Sequence, residues 1–207
     1  MARPRLTERQ RADADARRRS AILAGMASAV GERGYAATTI ADVAAAARVS
    51  KSAVYAHFAD KEEIFLELYR AASEQLLRLI READHSAREA GLGWLERVEM
   101  TVRAYLSSMK AGGDLARPLL VEVPAVSERG RQMRRAVIDR YIEELAAIAA
   151  SLAEEYDTLR IPSRPALLIA VAGANELLLQ ALELDTPWDV DDLTATILEI
   201  IELVMRR

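Results

Sequence analysis

Apolar residues recur every third or fourth position along almost the whole chain, and nowhere do they sustain the alternation that a half-buried strand requires. No Asn-Gly or Asp-Gly hairpin signal occurs either. The pattern predicts an all-α fold of about nine helices: an N-terminal three-helix segment followed by a helical bundle. The first helix is expected from Ala16 to Arg33, with Ile22, Leu23, Met26 and Val30 on its buried stripe and Gly34 as its stop. The second opens at Thr39, whose hydroxyl with Asp42 three residues on makes a capping-box pattern, and it ends near Ala47. A short third helix, capped by Ser50, covers Lys51 to His57. Asp60 and Glu63 open a long fourth helix, with Ile64, Phe65, Leu68, Ala72, Leu76, Leu79, Ile80 and Ala83 on one face.

Gly91 to Gly93 end that helix, and a fifth carries Leu95, Val98, Val102, Tyr105, Leu106 and Met109 up to Gly112-Gly113. A short helix is expected near Leu115–Val123, with Pro124 separating it from a seventh that is capped by Ser127 and reaches Glu155, about 43 Å long at 1.5 Å per residue. Ser163 and Pro165 open an eighth helix through about Leu184. Pro187 ends the connection, and Asp189 caps a ninth from Val190 to Met205.

Composition narrows the chemistry. With 207 residues, 51% of them hydrophobic, the chain has enough apolar material for one or two packed domains. The absence of cysteine removes disulfides, thiolate metal sites and cysteine nucleophiles, and His57 and His85 are the only histidines. Glu82 and His85 have the Glu-x-x-His spacing of di-iron bundles, but that site needs a second such motif, and His57 has Val54 at the required offset. The adjacent acid pairs Glu62/Glu63, Glu143/Glu144 and Glu154/Glu155 diverge by about 100° on a helix and cannot converge as an acid/base pair. Walker A, G-x-G-x-x-G and G-x-S-x-G motifs are missing. No enzymatic activity, cofactor or metal is expected.

Leu167 to Leu184, the most apolar stretch, is interrupted by Asn175, Glu176, Gln180 and Glu183, short of the roughly 20 apolar residues that span a bilayer. Neither a membrane span nor a secretory signal is expected, and the default location is cytoplasmic. The formal net charge is −4, unevenly placed: residues 1–60 hold ten Lys/Arg against six Asp/Glu, and residues 61–207 hold eighteen against twenty-six. A positive N-terminal third on an acidic body suits a phosphate-binding module joined to a non-binding domain.

Residues 39–58 read as a helix-turn-helix. Ile40, Val43, Ala44 and Ala47 make the apolar face of its first helix, Val49 fills the turn, and Val54 and Phe58 point inward from the second. At 100° per residue, Ser52, Ala53 and Ala56 then point most directly away, toward a groove floor, with Tyr55 and His57 on the flanks and Lys51 at the helix start. A basic arm, with Arg3, Arg5, Arg9, Arg11, Arg17, Arg18 and Arg19, precedes it, and Lys61 follows. The expected division is a disordered arm over 1–15, a helix-turn-helix domain over 16–60, and a helical domain over 61–207, to which the family resemblance given next assigns ligand binding and dimerisation.

The stretch Gly34-Tyr35-Ala36-Ala37-Thr38-Thr39-Ile40 through Val49-Ser50-Lys51-Ser52-Ala53-Val54-Tyr55-Ala56-His57-Phe58-Ala59-Asp60-Lys61-Glu62-Glu63-Ile64 closely resembles the DNA-binding region of the tetracycline-repressor (TetR) family. The resemblance covers about the first 70 residues. It implies that Thr39 and Tyr55 contact phosphates, that Lys51 and Ser52 lie in the major groove, that His57 reaches the backbone or a base, and that Lys61 holds a phosphate. Thr38, Arg48, Ser50 and Ala53 complete the expected DNA-binding set. Two positions depart from the family pattern. Arg48 stands where glycine is frequent, at a turn position expected to want positive φ. Ala53 stands where threonine is frequent, leaving Ala53 and Ala56 able to touch only thymine methyls.

The implied partners are operator duplex DNA, a second copy of the chain, and an unidentified small-molecule effector. One short recognition helix reads only a few base pairs, so a homodimer on a palindromic operator is expected. Leu167, Val171, Leu178, Leu182, Ile197, Leu198, Ile201 and Val204 on the last two helices are the candidate interface. By the resemblance, the body holds a pocket for an apolar or amphipathic effector that tilts the fourth helix and releases DNA. Its candidate lining is Trp94, Met100, Tyr105, Met109, Met133, Tyr141, Asn175 and Gln180. A ligand-released repressor is the expected function; a helical-bundle enzyme and a DNA-binding or interaction module without an effector are the alternatives.

Overall fold

The computed structural model describes residues 7–183 and 188–207, so Arg3, Arg5 and Pro187 lie outside the described residues. Among the described residues there are nine α-helices and one 3₁₀ turn, and the chain divides into two compact units, Met1–Tyr69 and Arg70–Arg207.

The first unit opens with α1 (Glu8–Ala37), which begins earlier than the apolar pattern indicates. Residues 8–15, expected to be a disordered arm, are helical. The reason is local: Thr7 and Gln10 form a reciprocal capping box, with the Gln10 amide donating to Thr7 Oγ1 at 3.3 Å and the Thr7 amide donating to Gln10 Oε1 at 2.9 Å. The segment that follows is rich in Ala, Arg and acidic residues, and such a helix needs no buried stripe to persist. Gly34, at φ 75°, breaks the helical backbone right after Arg33, the expected end.

Thr39 caps α2 (Ile40–Ala46) and Ser50 caps α3 (Lys51–Tyr55), each hydroxyl accepting the amide three residues on. α1 and α2 pack closely because residue 25 is glycine: a Cβ there would sit 2.7 Å from the Val43 carbonyl oxygen and 2.8 Å from Ala47 Cβ. Ile22, Met26, Val30, Val43, Val54, Phe58, Ile64 and Phe65 are fully buried, and Tyr35 stacks on Phe65 with ring centroids 4.7 Å apart. The last two of those core residues belong to α4 (Lys61–Glu89), whose first turns fall in this unit and whose remainder falls in the next.

The second unit adds α5 (Trp94–Ala111), the 3₁₀ turn Gly113–Leu115, α6 (Ala116–Val126), α7 (Glu128–Glu155), α8 (Arg164–Glu183) and α9 (Val190–Met205). Ser127 and Asp189 cap α7 and α9 as the sequence indicates. Pro124 does not end the sixth helix; it lies inside α6 two residues before its end, where its fixed φ is helical but the ring forfeits an amide bond and crowds the carbonyl of the preceding turn. Gly130 closes the corner to α7, since a Cβ there would stand 2.1 Å from the Val123 carbonyl oxygen.

The core of this unit joins Leu76 and Ile80 of α4, Val98, Val102 and Leu106 of α5, Ile148 and Leu152 of α7, Leu159, and Ile197 and Met205 of α9. At its edge lies a buried cation. Arg97, 1% exposed, donates from Nη2 to Asp84 at 3.0 Å and from Nη1 to Glu155 at 2.9 Å, joining α4, α5 and α7. The pairing offsets a desolvation cost that a lone guanidinium could not bear.

Candidate nucleic-acid interface

The sequence of α3 sorts its own side chains. Val54 is its one buried residue, and Phe58 just beyond it is buried as well, so Lys51, Ser52, Tyr55 and Ala56 face solvent. Ala53 and His57 are half-buried at the flanks. The exposed side shares Ser52 and Ala56 with the side expected from the helical spacing, but Ala53, expected to point most directly outward, is half-buried, and Tyr55, expected on a flank, is 56% exposed.

The polar side chains around α3 fall into two groups. Thr39 Oγ1 donates to Asp42 Oδ2 at 2.6 Å and accepts the Asp42 amide at 3.2 Å. The bonds from the Thr39 hydroxyl and amide hold the Asp42 carboxyl below the usual aspartate range, with Arg33 and Lys51 adding to the effect. Ser50 Oγ accepts the Ala53 amide at 3.1 Å and lies 2.9 Å from Ser52 Oγ, so Ser52 is oriented by the cap beside it. Thr39 and Ser50 are exposed, so each capping hydroxyl keeps a side open to solvent.

One expected contact, Thr38, has a structural duty instead, and another, Lys61, makes bonds within the chain. Thr38 is 1% exposed and its hydroxyl donates to the Ala29 and Gly34 carbonyls, at 3.1 and 2.7 Å. It ties off the end of α1 and is out of reach of a ligand. Lys61 points its ammonium at the Tyr35 and Thr38 carbonyls, 2.8 Å from each, and lies 4.1 Å from the Tyr35 ring centroid. The carbonyls left over where α1 ends attract the cation more closely than solvent does.

Arg48 takes φ 55°, the positive value expected from its place in the turn, and its side chain is exposed. Arg19, grouped with the arm in the sequence, is an anchor: Nη1 donates to the His57 carbonyl at 3.4 Å, Nη2 pairs with Glu67 at 3.2 Å, and the guanidinium lies 4.4 Å from the Phe58 ring centroid. Spacing gives no warning of this role, because residue 19 lies before the first apolar residue of the α1 stripe.

In the second unit the candidate effector residues divide. Trp94, Tyr105, Met109 and Tyr141 pack half-buried against the core, and Tyr105 donates its hydroxyl to Asn175 Oδ1 at 2.5 Å. Tyr141 donates to the Ser73 carbonyl at 3.3 Å. Met100 and Met133 are half-buried on α5 and α7. Gln180 does not belong with them; it is exposed on α8 and bonded to Glu176.

The candidate interface residues also divide. Leu167, Leu178 and Ile197 are buried in the chain's own core, and Val171, Leu182, Leu198, Ile201 and Val204 are half-buried. The open apolar surface is a neighbouring stripe outside the expected set: Leu168 and Ile169 on α8, Ile200 and Leu203 on α9, with Ile169 69% and Leu203 75% exposed. α8 is apolar on nearly every side, so periodicity alone does not reveal which side is covered. By length and composition α8 is apolar enough to cross a membrane, contrary to the expectation drawn from its interrupting polar residues, and 11% of that window is buried.

Residues 22–68 match the family model of bacterial regulatory proteins, tetR family. No curated protein matches the chain significantly. Among solved structures, the fatty acid degradation regulator FadR from Bacillus halodurans is similar at a TM-score of 0.78 and 18% identity, over 92% of this chain and 97% of that one. FadR from Bacillus subtilis, solved in complex with stearoyl-CoA, aligns at 0.73 and 18%, over 88% and 96%. The TetR family regulator PfmR from Thermus thermophilus aligns at 0.66 and 24%, over 90% and 99%.

Proposed function

We propose that this chain, a tetR-family DNA-binding regulator by its residues 22–68, represses transcription as a homodimer on a palindromic operator and leaves it when an amphipathic effector enters the second unit. The observation that carries the reading is the sorting of α3, with Val54 inward and Lys51, Ser52, Tyr55 and Ala56 outward. Lys51 and Ser52 then supply the polar base contacts, Ala53 and Ala56 meet thymine methyls, and Thr39, Tyr55 and His57 hold the backbone.

The exposed stripe of Leu168, Ile169, Ile200 and Leu203 supports dimerisation through α8 and α9, because apolar surface of this kind is stabilised by a matching copy. Glu176 and Gln180 on the exposed side of α8 argue against a bilayer as its cover, since a carboxylate in mid-membrane is costly. For the effector, the stearoyl-CoA held by the Bacillus subtilis FadR supports a long-chain acyl thioester. The half-buried Trp94, Met109 and Tyr141, beside the Tyr105–Asn175 pair, offer apolar surface with a few polar groups, as such a ligand needs. Release requires only that the ligand prefer a state whose recognition helices do not fit DNA.

Selection of bound fragments from genomic DNA tests the first part and is expected to return a short palindrome. Long-chain acyl-CoA is then expected to dissociate the complex, with free CoA as the control. Recovery of unrelated fragments without a shared motif would remove the operator reading, and dissociation by neither thioester nor CoA would remove the effector class.

A further inference from the structure

We propose that the solvent-exposed beginning of α1, residues 8–18, is a second DNA-contacting element, a helical clamp that lies along phosphates next to the recognition helix. The proposal rests on the reading that the first unit binds duplex DNA, and it concerns where the positive charge for that binding resides.

Residues 1–19 carry seven Arg against three Asp/Glu, whereas residues 20–60 carry three Lys/Arg against three Asp/Glu, so the rest of the first 60 residues is neutral. Within it, Arg33 is occupied by Glu32 and Asp42. Lys61, just past it, is turned to the Tyr35 and Thr38 carbonyls. Arg48 and Lys51 remain as its outward cations, few for a protein whose affinity comes from neutralising phosphates.

The extension supplies what that surface lacks. Arg9, Arg11, Arg17 and Arg18 are exposed, and none makes an ion pair among the described residues. Arg19, bonded to the His57 carbonyl and lying over Phe58, fixes α1 against the chain just past the end of α3, so Glu8–Arg18 run on from that point. Those eleven residues extend about 16 Å, a length over which a duplex carries about nine phosphate charges. The capping box at Thr7 keeps the segment helical to its first residue, so the backbone that carries the arginines is already ordered before binding. Glu8, Asp13 and Asp15 share the segment and give it local balance in solution; a duplex, with its far denser charge, outcompetes them.

The test is the salt dependence of binding to a fluorescent random-sequence duplex, because phosphate contacts ignore sequence. Each phosphate contact contributes about 0.9 to the slope of log K against log salt. The full-length quadruple variant Arg9→Gln, Arg11→Gln, Arg17→Gln, Arg18→Gln, which keeps good helix formers, is expected to lower the slope of the dimer by at least about 2 and at most about 7. A change below about 1 would overturn the clamp. A second variant, Asp13→Asn with Asp15→Asn, is expected to bind more tightly at low salt, and equal or weaker binding would count against it. If the unaltered chain binds no duplex at any salt, the DNA-binding reading itself fails; a steep slope that survives in the quadruple variant rejects the clamp alone.

Discussion

Replacing Lys61 by methionine separates two roles for one cation. Methionine keeps the length and apolar stem of lysine but removes the ammonium, which donates to the Tyr35 and Thr38 carbonyls at 2.8 Å and lies over the Tyr35 ring. Hydrogen bonds involving a charged group contribute about 1.5–3 kcal/mol each when formed in a shielded place. Lys61 is half-buried, so the lower end applies and the two bonds together contribute about 2–4 kcal/mol once water partly replaces them. For a chain of this length each kcal/mol shifts Tm by about 2–4 °C, giving an expected fall of about 4–16 °C by far-UV circular dichroism. Lys61→Arg, which keeps the charge, is expected to lose less than half of that. The slope of DNA affinity against salt should stay unchanged in both variants at a temperature where they are folded. Had Lys61 been a phosphate contact, as the family resemblance implies, Tm would hold and the slope would drop by about 0.9 per protomer. That outcome would refute the assignment of Lys61 to the end of α1.

Other changes have equally direct readings. Ile169→Glu with Leu203→Glu places charge on side chains that are exposed in the chain, so each protomer is expected to stay folded while light scattering shows monomer in place of dimer; an unchanged dimer would move the interface elsewhere. Gly130→Ala puts a methyl group against the Val123 carbonyl and is expected to cost about 2 kcal/mol or more in urea unfolding, whereas Gly173→Ala, where a Cβ meets nothing within 4 Å, should cost nothing of that kind. Asp42 titrates below its unfolded value of about 3.9 because Thr39 bonds to its charged form, so its stabilisation is complete above that value and lost as pH falls through the lower folded value. The stability difference between the unaltered chain and Asp42→Asn should therefore narrow below about pH 4, and a difference that grows on acidification would contradict the cap.

Much of the fold is legible in the chain because its helix starts are chemical. Thr39, Ser50, Ser127 and Asp189 each offer a side-chain oxygen to an orphan amide, and each opens the helix expected of it. Val54 within α3 and Phe58 just beyond it likewise fix which side of α3 is free, since both face the core.

Where the reading falls short, the missing information is tertiary. Thr38 and Thr39 are adjacent and chemically alike, yet the break at Gly34 folds one hydroxyl onto the Ala29 and Gly34 carbonyls and leaves the other in the open. Lys61 and Arg19 look like free cations until the carbonyls of Tyr35, Thr38 and His57 are brought beside them. Arg97 lies among apolar positions of α5 with no local hint of Asp84 and Glu155, its partners on α4 and α7. The start of α1 escapes detection for the opposite reason: a mixed-charge helix has no stripe to detect, and only the Thr7–Gln10 box announces it.

The single inward side chain of α3 sets how this protein could change its preferences over evolutionary time. Because Val54 alone among those five residues joins the hydrophobic interior, substitutions at Lys51, Ser52, Ala53 or Tyr55 change the chemistry of the exposed face while leaving the platform beneath it nearly untouched. Descendants of such a chain can vary that face by small steps, none of which passes through an unfolded ancestor.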